Sequence, residues 1–257
     1  MAWKLTDTGG TYSADGFTLS VQGTGRTRIR LQSDVETKSA ARSPSASSSK
    51  DGASLGTSHG HHSLCDWEVV PRDSSLVDEV AYPLPSERYV RQQDLITVFP
   101  QKYPWLFSYQ IDVRVLSACK DRFVAELWLS IQTSMLESNP ELWIANGAAG
   151  ATSQADGSVK AGVEPNRLGV WKCHPEYICS ADKRSVLVVH PLDRADSRTA
   201  ASPSGDFEHL ELFGRFMEKG VIRRGRVLLI GSRTTLSETT MRELIESFSE
   251  SSLPLTA

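Results

Sequence analysis

The sequence predicts a mainly β protein, either an antiparallel β-sandwich or a barrel-like sheet, with one or two C-terminal α-helices. Three observations support this fold class. Apolar and polar residues alternate with a period of two over most of the chain, polar and turn-forming segments separate these stretches, and a helical period occurs only in the last fifth. Short strands joined by turns favour antiparallel pairing over alternating parallel β–α units.

The clearest strand pair lies between residues 107 and 131. Odd-numbered positions are apolar and even-numbered ones are polar over 107–115, and the alternation returns over 123–131, where Val124 and Trp128 interrupt it. This pattern is typical of strands with one buried and one solvent-exposed face. The six residues from Ser117 to Arg122 then connect the two strands as a hairpin.

Charge selects the register of this hairpin. Because both apolar faces occupy odd positions, two candidate registers remain, and they place either Asp112 or Arg114 opposite Glu126. Like charges directly opposite each other are unfavourable, whereas opposite charges contribute roughly a few tenths of a kcal/mol. We therefore predict that Arg114 pairs with Glu126, which places Asp112 opposite Trp128.

Shorter apolar stretches predict further strands, and two segments near the C-terminus predict helices. The strands cover 17–22, 26–32, 65–70, 89–91, 95–99, 142–145, 168–172, 184–190 and 221–231. The first helix covers 206–220, although Gly214 and partial alternation there also fit a strand. The second follows the N-cap Ser237, with Leu236 packed on Met241 as a staple. Its apolar stripe, which should pack on the sheet, is Met241, Leu244, Ile245 and Phe248.

The chain is expected to form a single β-rich domain interrupted by three loops. Residues 38–63 are rich in serine, 146–162 are rich in glycine, and 191–206 contain Leu192 as their one large apolar residue. Such segments bury too little apolar surface to offset roughly 1–2 kcal/mol of backbone entropy per residue. We predict disordered or flexible loops at all three positions.

Composition limits the class of protein. The chain has 257 residues, a formal net charge of −3, 39% hydrophobic and 23% charged residues, which excludes collagen-like, disulfide-dense and wholly disordered proteins. No run of about 18 apolar residues is present, and the first residues lack the apolar stretch of a secretory signal. Four cysteines are too few for a disulfide framework. These features predict a cytoplasmic protein without a membrane partner.

Motifs for known chemistry are absent from the sequence. We find no G-x-S-x-G elbow, no P-loop and no glycine-rich dinucleotide fingerprint, so no cofactor is predicted. Two clusters contain residue types that bind metals, but neither has a familiar ligand spacing, and we predict no metal site. They are His59, His61 and His62 in the serine-rich loop, and Cys173, His174 and Cys179 beside a predicted turn.

Arginines recur at two places without making the chain basic. Arg26, Arg28 and Arg30 occupy one face of a predicted strand, and further arginines lie between residues 215 and 233. Since the net charge is negative, we predict a salt-bridged, solvated sheet face and no nucleic-acid partner.

The polar face of the predicted hairpin is the best candidate binding site. Gln110, Asp112, Glu126 and Trp128 share this face, and an indole among amides and carboxylates resembles a saccharide-binding surface in its chemistry. Paired carboxylates can also catalyse glycoside hydrolysis. The predicted Arg114–Glu126 pair, however, would lower the pKa of Glu126 and make it a poor general acid.

A second group of aromatic residues, Tyr103 and Trp105, follows the strand that ends near residue 99. It forms either a loop that covers one end of the core or an aromatic rim around a pocket. The leading hypothesis is therefore a non-catalytic binding or assembly module, with a small polar ligand or saccharide as the expected partner. The alternatives are a carbohydrate-active enzyme, such as a hydrolase or isomerase, and a homo-oligomeric structural protein.

Overall fold

Two antiparallel sheets of eight strands each form the fold, together with a small two-stranded sheet. The computed structural model describes residues 2–23, 25–35, 60–73, 81–146, 171–202 and 206–251. In the first half of the chain the strands are β1 (Lys4–Thr6), β2 (Gly9–Ala14), β3 (Phe17–Gly23), β4 (Thr27–Val35), β5 (Gly60–Asp73), β6 (Glu87–Arg91), β7 (Asp94–Phe99), β8 (Ser108–Cys119) and β9 (Arg122–Gln132). In the second half they are β10 (Glu137–Ser138), β11 (Pro140–Asn146), β12 (Trp171–Cys173), β13 (Ile178–Ser180), β14 (Ser185–Val189), β15 (Ser197–Ala201), β16 (Phe207–Leu212), β17 (Met217–Glu218) and β18 (Ile222–Ser232).

The two large sheets pack face to face around one apolar core. Sheet A has the strand order β1-β2-β3-β4-β5-β11-β16-β15, and sheet B has the order β12-β13-β14-β18-β9-β8-β7-β6. Aromatic side chains meet across the interface, with the rings of Trp67 and Trp171 centred 4.3 Å apart and those of Phe17 and Phe123 6.0 Å apart. The predicted antiparallel sandwich is confirmed.

Alternation explains why these segments form strands. In β8, Tyr109, Ile111 and Val113 are buried in the core, while Gln110 and Asp112 point to the outer face of sheet B. Each buried apolar side chain contributes about 1.5–3 kcal/mol relative to exposure, so a shift by one residue would be costly.

The predicted hairpin register is confirmed. β8 pairs with β9 so that Arg114 lies opposite Glu126 and Asp112 lies opposite Trp128. The register changes only between Val115 and Ser117, close to the end of the hairpin, where a β-bulge occurs. The outer-face residues of β8 and β9 are therefore aligned side by side.

The C-terminal helix α1 (Glu238–Glu250) matches the second predicted helix. Ser237 caps it, since its hydroxyl accepts a hydrogen bond of 3.1 Å from the Thr240 N–H. The helix packs its apolar stripe on the outer face of sheet B. The buried residues of this contact are Leu236, Met241, Ile245 and Phe248 from the helix side, and Val124, Val186, Val188, Leu228 and Ile230 from the sheet.

The predicted helix over 206–220 is wrong. This segment forms strands β16 and β17, and β16 lies in sheet A between β11 and β15. Its pairing with β15 shifts so that Ala200 faces His209 while Ala201 faces Phe207, which leaves Glu208 as an extra residue. The resulting bulge breaks the period of two and imitates a helical spacing.

The predicted loops are corrected in two places. Residues 191–206 contain a 3-10 helix, Pro191–Asp196, and the edge strand β15 instead of a continuous loop. The last residues of the 38–63 segment begin β5, because Gly60 pairs with Val35 of β4. The rest of that segment, residues 147–162 and the first part of the predicted strand 168–172 lie outside the described residues.

Within the part of the chain that the structure describes, no helix combines the length and apolar character needed to cross a bilayer.

Gly231 of β18 marks a close approach between the two sheets. A Cβ at this position would overlap the Leu31 side chain of sheet A and lie 3.2 Å from Leu64 Cδ1. We expect Gly231→Ala to lower the free energy of unfolding by about 1–3 kcal/mol, because the overpacked core must rearrange. Denaturant unfolding would measure this change.

Gly225→Ala provides the matched control in the same strand. Its Cβ would meet the edge of the Phe213 ring at 3.3 Å, which a small ring movement can relieve. We expect a loss below about 1 kcal/mol. Equal effects of the two substitutions would contradict the close approach at Gly231.

Candidate functional site

A cavity of about 600 Å³ lies on the outer face of sheet B. Its floor is formed by outward-facing residues of β8 and β9, and its ends reach β6 and β18. The polar and aromatic residues of the floor that matter below are Gln110, Asp112, Arg114, Trp128, Ser130 and Gln132. A volume of this size suits a small ligand of several fused or linked rings.

Strand pairing arranges the floor in rows that cross the sheet. In one row Arg226 of β18 lies beside Trp128 of β9, and Trp128 lies beside Asp112 of β8. In the next row Arg224 lies beside Ser130, which in turn lies beside Gln110. Neighbouring strands are about 4.8 Å apart, so adjacent members of a row can contact one ligand together.

The structure brings together three of the six residues predicted from sequence. Gln110, Asp112 and Trp128 line the cavity. Glu126 shares their face but does not line it, because its side chain is buried, with 6% of its surface exposed.

The two aromatic residues Tyr103 and Trp105 belong to a different part of the molecule. Trp105 stacks on Tyr82 with ring centres 5.9 Å apart and donates a hydrogen bond of 2.9 Å to the Ala81 carbonyl. Trp105 is buried in the core, whereas Tyr103 is 91% exposed. Both line a separate pocket beside Arg26, so they lie apart from the polar face around Trp128.

Asp112 is the acidic group of the cavity floor. Gln110 Nε2 donates a hydrogen bond of 2.6 Å to Asp112 Oδ1. Burial raises the pKa of Asp112 above its ordinary value, while the bond from Gln110 and the charges of Arg91 and Arg114 oppose this rise. The carboxyl group is thus a hydrogen-bonding group that the surrounding protein already orients.

Arg114 is held by Asp94 instead of Glu126. Its Nε and Nη2 atoms donate hydrogen bonds of 2.8 and 2.7 Å to the two carboxylate oxygens of Asp94, which is mostly buried. Burial raises the pKa of Glu126, and Trp128, Arg226 and Arg114 lower it only in part. Arg114 thus lowers the pKa of Glu126 as expected, but burial outweighs this effect and the net shift of the pKa is upward.

Trp128 lies between two guanidinium groups. Arg114 is centred 5.6 Å from its ring and Arg226 5.7 Å, and the two arginines belong to the strands on either side of β9. Cation–π contacts of this kind fix the ring. Much of the aromatic surface thus faces the protein's own cations. A ligand at this face would therefore be bound mainly through hydrogen bonds and charge.

Arg226 connects the cavity floor to the end of α1. It is 3% exposed, donates from Nη2 to His190 Nε2 at 2.6 Å, and donates from Nη1 to the Ser251 carbonyl at 3.3 Å. Its Nη1 atom also lies 4.0 Å from Glu126 Oε1. Burial and the adjacent Arg226 lower the pKa of His190, which keeps the imidazole neutral.

Of the two candidate metal clusters, the structure describes all residues only of the one at Cys173, His174 and Cys179, and its two thiols do not converge. His59 and the side chain of His61 lie outside the described residues, and His62 contacts the guanidinium of Arg184. Cys173 pairs with Ile178 and Cys179 with Lys172, so the two thiols point to opposite faces of sheet B. Among the described residues, no group of three or more His, Cys, Asp or Glu side chains is placed to hold a metal ion.

The arginines of β4 confirm the predicted salt-bridged face. Arg28 and Arg30 both pair with Asp66, at 2.5 and 2.9 Å, and Arg26 lies 3.5 Å from Glu68. Two carboxylates thus compensate the three guanidinium charges in part.

Sequence reasoning missed two arginines that line the cavity. Arg91 lies at the end of β6 and Arg224 on β18, on opposite sides of the floor. The sequence showed Arg224 only as part of a basic C-terminal stretch. Their shared location depends on the order of strands in sheet B, which no local pattern encodes.

Comparison of the chain with protein-family models, with curated proteins and with solved structures finds no significant match. The chemical argument therefore starts from the cavity alone: amide, hydroxyl, carboxyl and guanidinium groups on a concave floor can bind a polar molecule through directed hydrogen bonds.

The neutral state of His190 predicts a pH dependence of stability. Because the folded protein has the lower pKa, the unfolded chain binds the proton more readily below the ordinary histidine pKa of about 6.5. We expect the free energy of unfolding to fall as the pH drops through this value, with a slope from His190 of at most about 1.4 kcal/mol per pH unit. Denaturant unfolding between about pH 7.5 and 5.5 would measure it.

The variant His190→Gln should flatten this dependence, since the amide oxygen can still accept from Arg226 but does not titrate. His62, whose pKa is also lowered by burial and by Arg184, should keep part of the slope. His174→Gln, at an exposed turn, serves as the control and should retain the wild-type slope. An unchanged slope in His190→Gln would contradict the prediction.

Proposed function

We propose that this protein is a non-catalytic binding module whose cavity on the outer face of sheet B binds a saccharide or a similarly polar small molecule. The observation that carries the proposal is the lining of one concave floor by Gln110, Asp112, Trp128 and Ser130. Amides and carboxyl groups form hydrogen bonds with sugar hydroxyl groups, and an indole provides an apolar surface against which a sugar ring can pack.

The fixed geometry of the floor supports binding without a large conformational change. Asp112 is oriented by Gln110, Arg114 is held by Asp94, and Trp128 is flanked by arginines. Groups that are already ordered lose little conformational entropy when a ligand binds. The four cysteines, all of them free, agree with a cytoplasmic location, which belongs to this proposal.

A carbohydrate-active enzyme has less support from the same residues. Glycoside hydrolysis needs two carboxyl groups that both reach the substrate from opposite sides. Asp112 lines the cavity and its raised pKa suits a general acid, but Glu126 is buried behind the floor. Asp94 also lines the cavity but is bound by Arg114, so among the described lining residues Asp112 is the one carboxyl group without a guanidinium partner, which favours binding over catalysis.

A homo-oligomeric structural protein is the second candidate, and an exposed apolar patch favours it. Met135, Leu136, Phe216 and Val221 are all at least 40% exposed. They flank the small sheet of β10 and β17 at adjacent chain positions. Contiguous exposed apolar surface commonly marks a protein interface, here with a second copy of the chain.

Calorimetric titration with a panel of neutral and acidic mono- and disaccharides tests the binding module. We expect saturable binding that Trp128→Ala weakens by about tenfold through loss of the apolar surface. Ser130→Trp should block the cavity by filling it, because Ser130 lies on the floor between Arg224 and Gln110.

Two variants on sheet A serve as matched controls. Trp143→Ala removes another half-buried surface tryptophan, and Ser20→Trp adds the same bulk to the outer face of sheet A. Both should bind like the wild type. The proposal is wrong if no member of the panel binds, or if the sheet A variants lose binding as the sheet B variants do.

Sedimentation velocity over a wide range of concentrations tests the second candidate. An oligomer built on the apolar patch should dissociate when Leu136→Ser is introduced, because the exposed leucine would lie in the interface. Leu192→Ser, at an equally exposed leucine of the 3-10 helix, should have no effect. A monomeric wild type at every concentration would exclude this candidate.

A further inference from the structure

The cavity on sheet B carries an excess of positive charge at its ends. Five charged side chains line it: Arg91, Asp94, Asp112, Arg114 and Arg224. Asp94 and Arg114 neutralise each other through two short hydrogen bonds. Two arginines and one aspartate therefore determine the charge that a ligand meets.

Neither Arg91 nor Arg224 is bound elsewhere within the described ranges. No hydrogen bond or ion pair links either guanidinium to another described residue, and the charge of Arg91 acts on Asp112 only at longer range. Both side chains are exposed. By contrast, the neighbouring Arg226 is buried and hydrogen-bonded to His190, so its guanidinium is not accessible to a ligand.

This positive charge is local, because the whole chain has a formal net charge of −3. On sheet A the comparable arginines, Arg28 and Arg30, both form ion pairs with Asp66. Unpaired guanidinium groups on the rim of a polar cavity therefore distinguish this face. Guanidinium groups bind carboxylate and phosphate with paired hydrogen bonds.

We infer that the ligand of this cavity is an acidic saccharide, with its sugar ring over Trp128 and Ser130 of β9 and a carboxylate at Arg224. This inference rests on the proposed function and names the ligand class. Arg224 offers a single guanidinium, whose two parallel N–H donors match the two oxygens of one carboxylate. β6 and β18 are four strand spacings apart, roughly 19 Å, which favours a ligand longer than one sugar ring with a second acidic group near Arg91.

Calorimetry with digalacturonate and its neutral dimethyl ester tests this inference. The two probes share ring size and hydroxyl groups and differ in the carboxylate charge. We expect the wild type to bind the acid about tenfold more tightly than the ester at low salt, with the preference shrinking as ionic strength rises.

Substitutions show which arginine causes the preference for the acid. Arg224→Gln should weaken binding of the acid much more than binding of the ester and so remove most of the preference, and Arg91→Gln should reduce the preference in the same direction. Arg242→Gln makes the same change of charge at an exposed position of α1 outside the cavity and should retain the preference.

The possible failures can be told apart. Equal binding of the acid and the ester, or a loss of preference in Arg242→Gln as large as in Arg224→Gln, overturns the acidic ligand. Binding of neither probe, while a neutral member of the saccharide panel binds, also overturns this inference and leaves the proposed function standing. Binding of no saccharide at all overturns both.

Discussion

Strand β9 sets the geometry of sheet B because it pairs with β8 on one side and with β18 on the other. Both pairings align even-numbered residues with even-numbered ones, so Asp112, Trp128 and Arg226 lie in one row on the outer face. The apolar partners Val113, Leu127 and Val227 are all buried in the core. A slip of one residue would bury the charged row, and the site therefore depends on the same burial that stabilises the fold.

The outer face of sheet B is divided into an apolar and a polar half, and α1 explains the division. Where the helix packs, β18 presents Leu228 and Ile230. Where the helix ends, β18 presents Arg226 and then Arg224. Arg226 lies at the boundary and donates to the Ser251 carbonyl at the end of the helix. A buried arginine is tolerable there because hydrogen bonds and Glu126 compensate its charge in part.

Local sequence patterns predicted the elements that are determined by interactions between residues close in sequence. The period of two and one charge pair gave the β8–β9 register, and the cap Ser237 with its apolar stripe gave α1. β16 was missed because a bulge at Glu208 disguises its period. The site was predicted only in part, since the strand order that joins Arg91 to Arg224 is a property of the whole sheet. The pKa of Glu126 was misjudged because burial outweighs its cross-strand partner.

The two outer faces share their chemistry, and the difference between them argues for sheet B as the binding face. The tryptophans of both faces are flanked by the protein's own side chains, Trp143 by His209 and Arg72, and Trp128 by Arg114 and Arg226. On sheet A, Arg28 and Arg30 pair with Asp66, and the described pocket beside Arg26 lies at the turn between β3 and β4. On sheet B, Arg91 and Arg224 have no partner among the described residues and lie beside a concave floor. Under the proposed function, the same residue types therefore stabilise one face and bind the ligand at the other.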